Sequence, residues 1–460
     1  MVKRIKTKIV CTIGPSSWNR TVLKSMVSSG MTAARVNASF ADEQEIKRVY
    51  KTIREISPNI ALILDTKGHK IRLCDFPSPI YLKKGDILVI DSQPNEKYLW
   101  VNYKTLYKEV PAGTVLLLDE GKIEVKVEGK DETRLVCKVM VGGVLTRGKT
   151  VTPVGVHLDF PPLTDKDKKD ILTAVECGYD FIAASFIRNV DDVRAIKSLL
   201  KGTNTKVISK IENSEGIENL DSILDESDGI MVARGDLGVE LPIEKVGMLQ
   251  KEIVKKCNEN GRPVIVATHM LESMIENPRP TRAEVSDITN AILDGADALM
   301  LSAETSVGKY PVKCVDVMSK IASYVENFIL PQKFNNCKIA KSTTNAIANG
   351  IYEICQTSDI KAVIIGTISG ITARVVSRYR LRQNVIAFTE DEYVKRSLQI
   401  TKGVFPEVIK KFSQDKKRII DQLVKSAYEK GYINKGDNVI VSVGESILGR
   451  EQKLLEVVKV

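Results

Sequence analysis

The stretch V-I-S-K-I-E-N at residues 207–213, together with G-I-M-V-A-R-G-D-L-G-V-E at 229–240, decides the fold of this chain. Its pattern predicts two strands separated by a helical interval. Lys210, Glu212 and Asp236 stand where each apolar run should give way to a loop. A lysine and two carboxylates at the ends of neighbouring strands are typical of a site that binds a divalent metal and a phosphorylated anion.

Strands of the same kind recur on both sides of this stretch, and each is followed by a helical segment once one interruption is set aside. They begin near residues 8, 33, 60, 181, 206, 229, 263 and 298. Eight such units predict a closed (β/α)₈ barrel whose active site lies at the C-terminal ends of the strands. A doubly wound open sheet is the alternative that the pattern leaves open.

Two segments fall outside this alternation. From about residue 73 to 157, alternating short strands with turn residues predict an all-β domain inserted after the third barrel strand. From about residue 341, strands and helices alternate again in a separate α/β segment. We therefore expect three domains: a catalytic barrel from 1–72 and 158–332, an all-β lid domain from 73–157, and a C-terminal α/β domain from 333–460.

The composition excludes several classes of protein. Hydrophobic residues make up 43% and charged residues 27%, but no apolar run approaches the ~18 residues that a membrane span needs. The eight cysteines are scattered and indicate reduced core residues rather than a metal or disulfide framework. Net charge is +10, yet lysines alternate with glutamates along helices, which disfavours nucleic acid as a partner. Without a secretory signal, a cytoplasmic location is expected.

Polar residues cluster at the ends of the predicted barrel strands. A lone strand-end Asp or Thr usually caps a nearby backbone N–H, but recurrence on successive strands favours a shared site. Mg²⁺ takes a few carboxylates and keeps water and phosphate oxygens as its other ligands, which suits Glu212 and Asp236. The cluster comprises Arg35, Asn37, Ser39, Asp65, Thr66, Ser185, Lys210, Glu212, Asp236, Thr268, Ser302 and Glu304.

Five motifs stand in one order along the chain. They are T-K-I-V-C-T-I-G-P-S-S (7–17), L-D-T-K-G (64–68), I-S-K-I-E-N (208–213), I-M-V-A-R-G-D-L-G-V-E (230–240) and A-T-H-M-L-E-S-M-I-x-x-P-R-P-T-R-A-E (267–284). With them the chain resembles the pyruvate kinase family over nearly its whole length. The resemblance implies phosphoryl transfer from phosphoenolpyruvate to ADP with Mg²⁺ or Mn²⁺, giving pyruvate and ATP in the last step of glycolysis.

The resemblance assigns roles within the cluster. Glu212 and Asp236 would hold Mg²⁺, and Lys210 would neutralise the phosphoryl oxygens in the transition state. The backbone around Gly235 and Asp236, with the Thr268 hydroxyl, would bind the substrate carboxylate. An alternative that shares the paired carboxylates is a Mg²⁺-dependent lyase or aldolase acting on enolpyruvate.

Further roles follow from the same resemblance. Arg35 and Arg72 would bind phosphate groups through bidentate hydrogen bonds from their guanidinium groups. The hydroxyls of Thr268 and Ser302 would relay a proton to the enolate carbon. The all-β insertion would act as a lid that excludes water. The nucleotide contacts would be Asn37, Arg72 and Lys149, although T-V-T-P-V-G after Lys149 departs from the family's N-L-P-G.

Four positions of the mouth depart from the family pattern. They are Phe40 for a histidine, His69 for a proline, Lys70 for a glutamate and Ala303 for a glycine. The family's K⁺ ligands are matched by Asn37, Ser39, Asp65 and Thr66. The glutamate usually found at position 70 accompanies K⁺ dependence, and the ammonium of Lys70 can supply the charge that the ion supplies elsewhere. We therefore predict activity without added K⁺.

In the C-terminal segment, G-T-I-S-G-I-T-A-R (366–374) precedes a predicted helix. Its free N–H groups could cradle the phosphate of an effector. The residues concerned are Thr367, Ser369, Gly370 and Thr372. Because Ile371 replaces the basic residue common in fructose-bisphosphate-responsive members, a monophosphate effector or none is expected, and an ordinary capped helix is the alternative. The resemblance also favours a homotetramer.

Overall fold

The chain opens with three strands that alternate with two helices. The computed structural model describes residues 5–334, 342–444, 447 and 453–460. The first elements are β1 (Lys8–Thr12), α1 (Arg20–Ser28), β2 (Ala33–Asn37), α2 (Glu43–Ile56) and β3 (Ala61–Asp65). The side chains of Asn19 and Asp42 accept backbone N–H groups at the starts of α1 and α2. These caps fix where each helix begins.

An all-β domain follows β3. Its elements are β4 (Ile80–Leu82), β5 (Ile87–Asp91), β6 (Leu99–Trp100), α3 (Leu106–Glu109), β7 (Val115–Leu118), β8 (Ile123–Asp131), β9 (Arg134–Val141), β10 (Gly143–Leu145) and β11 (Val151–Pro153). Six strands form a sheet in the order β11-β7-β8-β9-β5-β6, and β10 pairs with β4. The prediction that helices vanish here misses the one-turn helix α3, which is too short to show a period.

Alternation of strands and helices then resumes. The elements are α4 (Asp165–Cys177), β12 (Phe181–Ala184), α5 (Val190–Leu199), β13 (Lys206–Ile211), α6 (Ser214–Glu218), α7 (Leu220–Glu226), β14 (Gly229–Ala233), α8 (Arg234–Glu240), α9 (Ile243–Glu259), β15 (Val264–Ala267), α10 (Arg282–Asp294), β16 (Ala298–Leu301), α11 (Ala303–Ser306) and α12 (Pro311–Val325). Short 3₁₀ helices occur at Pro15–Ser17, Glu272–Ile275, Glu326–Phe328 and Leu398–Ile400.

Eight parallel strands close into a barrel in the order β1-β16-β15-β14-β13-β12-β3-β2. The predicted (β/α)₈ barrel is therefore confirmed, and the open-sheet alternative is wrong because β1 pairs with β16. Alternate residues of the strands fill the interior, among them Ile63, Ile208 and Met231. Ile400, which comes from the C-terminal segment, is fully buried in the same cluster and packs at the barrel floor.

The C-terminal segment forms the predicted α/β domain around a five-stranded sheet. Its elements are α13 (Thr343–Thr357), β17 (Ala362–Gly366), α14 (Ile371–Ser377), β18 (Asn384–Thr389), α15 (Glu392–Ser397), β19 (Val404–Val408), α16 (Lys416–Glu429), β20 (Asn438–Val443) and β21 (Leu454–Lys459). The strand order is β19-β18-β17-β20-β21, with β21 antiparallel. Sequence reasoning missed β19, an edge strand that carries Pro406. Among the described residues, no helix is long and apolar enough to span a bilayer.

Candidate active site

Lys210 lies at the barrel mouth, almost fully buried near the end of β13. Its ammonium donates to Asp65 Oδ1 at 2.9 Å and to Ser185 Oγ at 2.8 Å, and it lies 2.9 Å from Glu212 Oε1. Burial would lower the pKa of Lys210, but the carboxylates of Asp65 and Glu212 outweigh that effect and hold the pKa above its ordinary value. Lys210 is therefore positively charged at neutral pH.

Glu212 supplies a fully buried carboxyl group beside that ammonium. Its Oε2 accepts the backbone N–H of Phe186 at 2.7 Å, whereas Oε1 makes no hydrogen bond despite its closeness to Lys210. Burial raises the pKa of Glu212; the charge of Lys210 opposes this, and that of Asp236 adds to it. A buried oxygen that lacks a hydrogen bond is available to a further cation.

Asp236 belongs to a different element than the sequence predicts. β14 ends at Ala233, so Asp236 lies in the first turn of α8, and its predicted position at a strand end is wrong. The chain turns here because the N–H of Gly235 donates to Thr268 Oγ1 at 2.8 Å instead of to a neighbouring strand. Burial would raise the pKa of Asp236, but Lys70 and Lys210 lower it overall.

Glu212 and Asp236 together fit a Mg²⁺ or Mn²⁺ ion. The charge of Asp236 raises the pKa of Glu212, and a hydrogen bond from the Glu212 carboxyl group helps to lower the pKa of Asp236. Across the described ranges, no group of three or more His, Cys, Asp or Glu side chains is arranged to hold a metal. Two carboxylates leave the remaining positions to water and substrate oxygens, which is the ligand set that Mg²⁺ prefers.

Lys70 lies on the side of the mouth that carries Asp236. Its ammonium donates to Asp236 Oδ1 and stands 5.2 Å from the centre of the Phe186 ring. Asp65, the one charged residue of the predicted K⁺ position, is already paired, because Arg35 Nε donates to its Oδ2 at 2.7 Å and Lys210 to its Oδ1. The structure therefore places the ammonium of Lys70 on Asp236, while Arg35 and Lys210 balance Asp65.

The other predicted K⁺ ligands lie at the ends of two neighbouring strands. Pairing of β2 with β3 sets Asn37 opposite Asp65. Asn37 Oδ1 accepts the N–H of Ser39 at 3.1 Å, and Thr66 Oγ1 accepts the N–H of Ser185 at 3.0 Å. The predicted oxygens thus lie at one edge of the mouth, where those of Asn37, Asp65 and Thr66 also accept local hydrogen bonds.

Thr268 follows β15 in a backbone conformation that β-branched residues rarely adopt. Its φ is +68° and that of His269 is +54°. The Thr268 hydroxyl donates to Ala267 O at 2.6 Å and accepts from Gly235. Arg234, a residue that sequence reasoning missed, donates to Thr268 O at 2.6 Å and to Asp287 Oδ1 at 2.7 Å, and so holds this turn in place.

Ser302 follows β16 and carries a hydroxyl that is buried without a hydrogen-bond partner. Its backbone N–H donates to Glu304 Oε2 at 2.6 Å, and Glu304 Oε1 accepts the N–H of Leu271 at 3.0 Å. The Glu304 carboxylate thus links the loops that carry Ser302 and Leu271 through hydrogen bonds, rather than serving as a ligand. The free hydroxyl of Ser302 fits a group that exchanges a proton with water or substrate.

Two of the predicted nucleotide contacts, Arg72 and Lys149, are bonded to residues of the all-β domain. Arg72 Nη1 donates to Gly148 O at 2.6 Å, and Lys149 Nζ lies 2.8 Å from Asp119 Oδ1. Neither makes a hydrogen bond or ion pair with the barrel mouth in the described part of the chain. Both would need movement of the domain or of the side chains to reach a nucleotide.

A cleft of about 110 Å³ separates the all-β domain from the barrel. Its walls include Lys70, Asp236, Phe186 and the ring of Phe160, on which His69 stacks at 4.7 Å between centroids. Glu240 also lines it; burial raises its pKa to about 7, and Asp236 and Glu212 act in the same direction. Sequence reasoning missed Glu240, although its place four residues after Asp236 on a helix was a usable signal.

The C-terminal loop gathers the predicted effector residues before α14. Thr367 Oγ1 accepts the N–H of Gly370 at 3.0 Å, and Gly370 has a φ of +78°. Ser369 and Thr372 stand on either side of the helix start. The arrangement has the form of a capped turn, in which one of the predicted phosphate donors is already used.

The sequence matches two family models. The first, described as pyruvate kinase, barrel domain, covers residues 4–315, and the second, pyruvate kinase, alpha/beta domain, covers 345–458. The three relatives named below are all called pyruvate kinase, so the lyase or aldolase alternative is not supported.

Three relatives illustrate the match. The chain is 42% identical to a pyruvate kinase of Clostridium acetobutylicum over 454 residues, covering 95% of this chain and 96% of that one. It is 41% identical to one of Bacillus licheniformis over 455 residues, covering 95% and 78%. A crystal structure of a pyruvate kinase from Cryptosporidium parvum aligns with a TM-score of 0.92 at 36% identity, covering 100% and 97%. With both domain models and full-length relatives in agreement, the chain belongs to the pyruvate kinase family.

Proposed function

We propose that Lys210, Glu212 and Asp236 form the phosphoryl-transfer centre of this enzyme, whose family converts phosphoenolpyruvate and ADP into pyruvate and ATP. The observation that carries the assignment is the fully charged Lys210 buried beside two carboxyls that resist simultaneous ionisation. A Mg²⁺ or Mn²⁺ ion held by Glu212 and Asp236 would draw charge from the phosphoryl and enolate oxygens. Replacement of Lys210 tests the assignment and is argued in the Discussion.

The remaining roles are proposed from position and chemistry. Arg35 donates to Asp65 and Thr12, which orients its guanidinium beside Lys210 for contact with the phosphoryl group. Gly235, Asp236 and Thr268 would bind the substrate carboxylate once the Gly235 N–H leaves the Thr268 hydroxyl. Asn37, Arg72 and Lys149 would contact the nucleotide when the all-β domain closes as a lid. Domain boundaries near residues 72, 157 and 332 belong to the same proposal.

Ser302 is proposed to pass a proton toward the enolate carbon, with Thr268 nearby. We expect Ser302→Ala to slow exchange of pyruvate methyl hydrogens with solvent by about 10²-fold, a typical loss for one acid–base group. Thermal stability should stay close to wild type, since the hydroxyl has no partner to lose. NMR of deuterium uptake measures the exchange. Exchange at the wild-type rate would remove Ser302 from the relay.

We also propose that Lys70 makes the enzyme independent of K⁺. Its ammonium already neutralises Asp236, so a second cation has less negative charge to balance. Lys70→Glu would set a third carboxylate beside Asp236 and Glu212. We expect K⁺ at constant ionic strength to activate this variant about tenfold or more and to change wild type less than twofold, since opposite charges in such a mouth interact by about 4 kcal/mol at ~4 Å.

The control for Lys70 is Lys67→Glu, which reverses a charge on the same loop at an exposed side chain. It should leave the response to K⁺ unchanged. Strong activation of wild type by K⁺, or equal responses of the two variants, would contradict the role of Lys70.

An effector site at Thr367, Ser369, Gly370 and Thr372, a homotetrameric state and a cytoplasmic location complete the proposal. The capped turn before α14 supports a small phosphate ligand only if the Gly370 N–H can exchange its bond to Thr367. Titration with sugar monophosphates and AMP tests it, and unchanged kinetics with all of them would leave the loop a structural cap.

A further inference from the structure

Four arginines surround a small cavity between the barrel floor and the C-terminal domain. Arg262 precedes β15, Arg374 lies on α14, and Arg378 and Arg380 follow that helix. The cavity has a volume of about 10 Å³, enough for one water molecule or one small ion. It lies on the opposite side of the barrel from Lys210, because the N-terminal ends of the strands form its wall.

Arg380 is the only one of the four that has a carboxylate within ion-pair distance in the described part of the chain. Its Nη1 and Nη2 donate to Asp297 Oδ1 and Oδ2 at 2.9 and 3.0 Å. The residue is 6% exposed and has a φ of +52°, in the left-handed region. Its Nε is buried without a hydrogen-bond partner.

Arg378 is 3% exposed and has no carboxylate within 4 Å among the residues that the structure describes. Its Nη1 donates to Glu259 O at 3.3 Å and its Nη2 to the Tyr379 hydroxyl at 3.1 Å, both neutral acceptors. Its Nε, like that of Arg380, is buried without a partner. The guanidinium also lies over the rings of Phe334 and Tyr379, 5.7 and 5.0 Å from their centres, but no carboxylate among the described residues balances its charge.

Arg262 and Arg374 add to the positive charge. Arg262 donates to Asp225 O at 3.0 Å, a backbone oxygen, and among the described residues the one acceptor of Arg374 is Ser369 O at 3.5 Å. Burial lowers the pKa of Arg374 to about 10; Asp228 partly opposes this from beyond ion-pair distance, and Arg262 adds to it. Four guanidinium groups thus line the cavity with one carboxylate, that of Asp297.

The hydrogen-bonding groups around the cavity also favour an anion over water. Three of the residues that line it carry a buried donor without a hydrogen-bond partner, namely Arg378 Nε, Arg380 Nε and Thr401 Oγ1. A water molecule would bring two protons of its own. The nearest carboxylate cannot readily take them, because each oxygen of Asp297 already accepts two hydrogen bonds, from Arg380 and from the N–H groups of Lys402 and Val264.

We propose that this cavity binds one monatomic anion of the halide class, which neutralises Arg378 and fastens the C-terminal domain to the barrel floor. An ion that accepts from both Nε atoms and from Thr401 would satisfy all three buried donors at once. The small size of the cavity favours a monatomic anion over phosphate, sulfate or a sugar phosphate. The site is therefore distinct in chemistry from the loop before α14.

Chloride is the first probe, with thermal unfolding of the full-length protein measured in sodium chloride and in sodium gluconate at equal ionic strength and pH. We expect wild type to unfold at a temperature higher by about 2 °C or more in chloride, with the difference growing with the logarithm of concentration. Arg378→Gln should abolish the difference. Arg418→Gln, an exposed arginine on α16, should keep it.

Bromide is the second probe, because its anomalous scattering locates the ion in crystals of the wild-type protein. We expect one peak within hydrogen-bond distance of Arg378 Nε and Arg380 Nε. A water molecule there instead, or a chloride effect that survives Arg378→Gln, would overturn the proposal. A bromide peak without any chloride-dependent stability would mark an adventitious ion only. If Arg378→Gln does not fold, Arg374→Gln at a half-buried position takes its place.

Discussion

Lys210→Met is expected to lower kcat by about 10³-fold or more, in the range found when one positive group is removed from a phosphoryl-transfer site. Lys210 is the charge that the mouth cannot replace, because Arg35 is committed to Asp65 and Lys70 to Asp236. Methionine fills a similar volume but leaves Glu212 without its buried counter-charge. A coupled assay of pyruvate formation, with and without K⁺, measures the loss.

A matched control exists on the same strand. Lys206 begins β13 at the opposite end of the barrel, where burial lowers its pKa. Lys206→Met should retain wild-type kcat within about threefold, since no part of the site depends on it. Removing a buried charge can destabilise a protein by ~3–5 kcal/mol, so unfolding of both variants must be followed in parallel. A folded Lys210→Met enzyme with near wild-type kcat would contradict the assignment.

Glu212→Gln is expected to raise the Mg²⁺ concentration needed for half-maximal rate by about 10²-fold and to lower kcat as well. The amide keeps the hydrogen bond from Phe186 but loses the charge that a divalent ion requires. In wild type the apparent Mg²⁺ affinity should fall as pH drops through the raised pKa of Glu212, because the proton then competes with the ion. Initial rates across Mg²⁺ concentration and pH measure both effects.

Two further variants sharpen this result. Asp236→Asn should resemble Glu212→Gln, because both carboxylates would hold the same ion. Glu240→Gln removes a neighbouring carboxyl whose pKa is about 7, and should change the Mg²⁺ requirement far less. Equal shifts for Glu212→Gln and Glu240→Gln would mean that the mouth needs negative charge in general rather than these two ligands.

The barrel could be predicted from sequence because its signal is local. Each strand is an apolar run followed by a helix, so eight repeats suffice to count the units without knowing which strands pair. β19 escaped detection because an edge strand that carries Pro406 lacks the continuous apolar run of a central strand. The helical position of Asp236 could not be predicted from the sequence, because the turn before it includes a hydrogen bond between Gly235 and Thr268. These two residues belong to neighbouring strand–helix units of the barrel.

The sequence predicts which residues form the candidate site better than it predicts how their side chains bond to one another. Lys210 lies near the end of β13 and Glu212 directly follows the strand two residues later, so period-two alternation predicts that they share a face. The bonds of Asp65 to Lys210 and Arg35 depend on the register of β2, β3, β12 and β13 around the closed barrel, which no local pattern encodes. The arginines at the barrel floor were invisible for the same reason, since they come from segments more than a hundred residues apart.

The position of Ile400 in the chain determines when the core of the barrel can be completed during synthesis. The eight barrel strands are all synthesised by residue 301, yet Ile400, a buried member of the cluster that fills their interior, is added only later. A nascent chain on the ribosome can therefore close the ring of strands before it can exclude water from the floor. The C-terminal domain thus completes the floor of the barrel, so the interior of the barrel is fully packed only after residue 400 has been added.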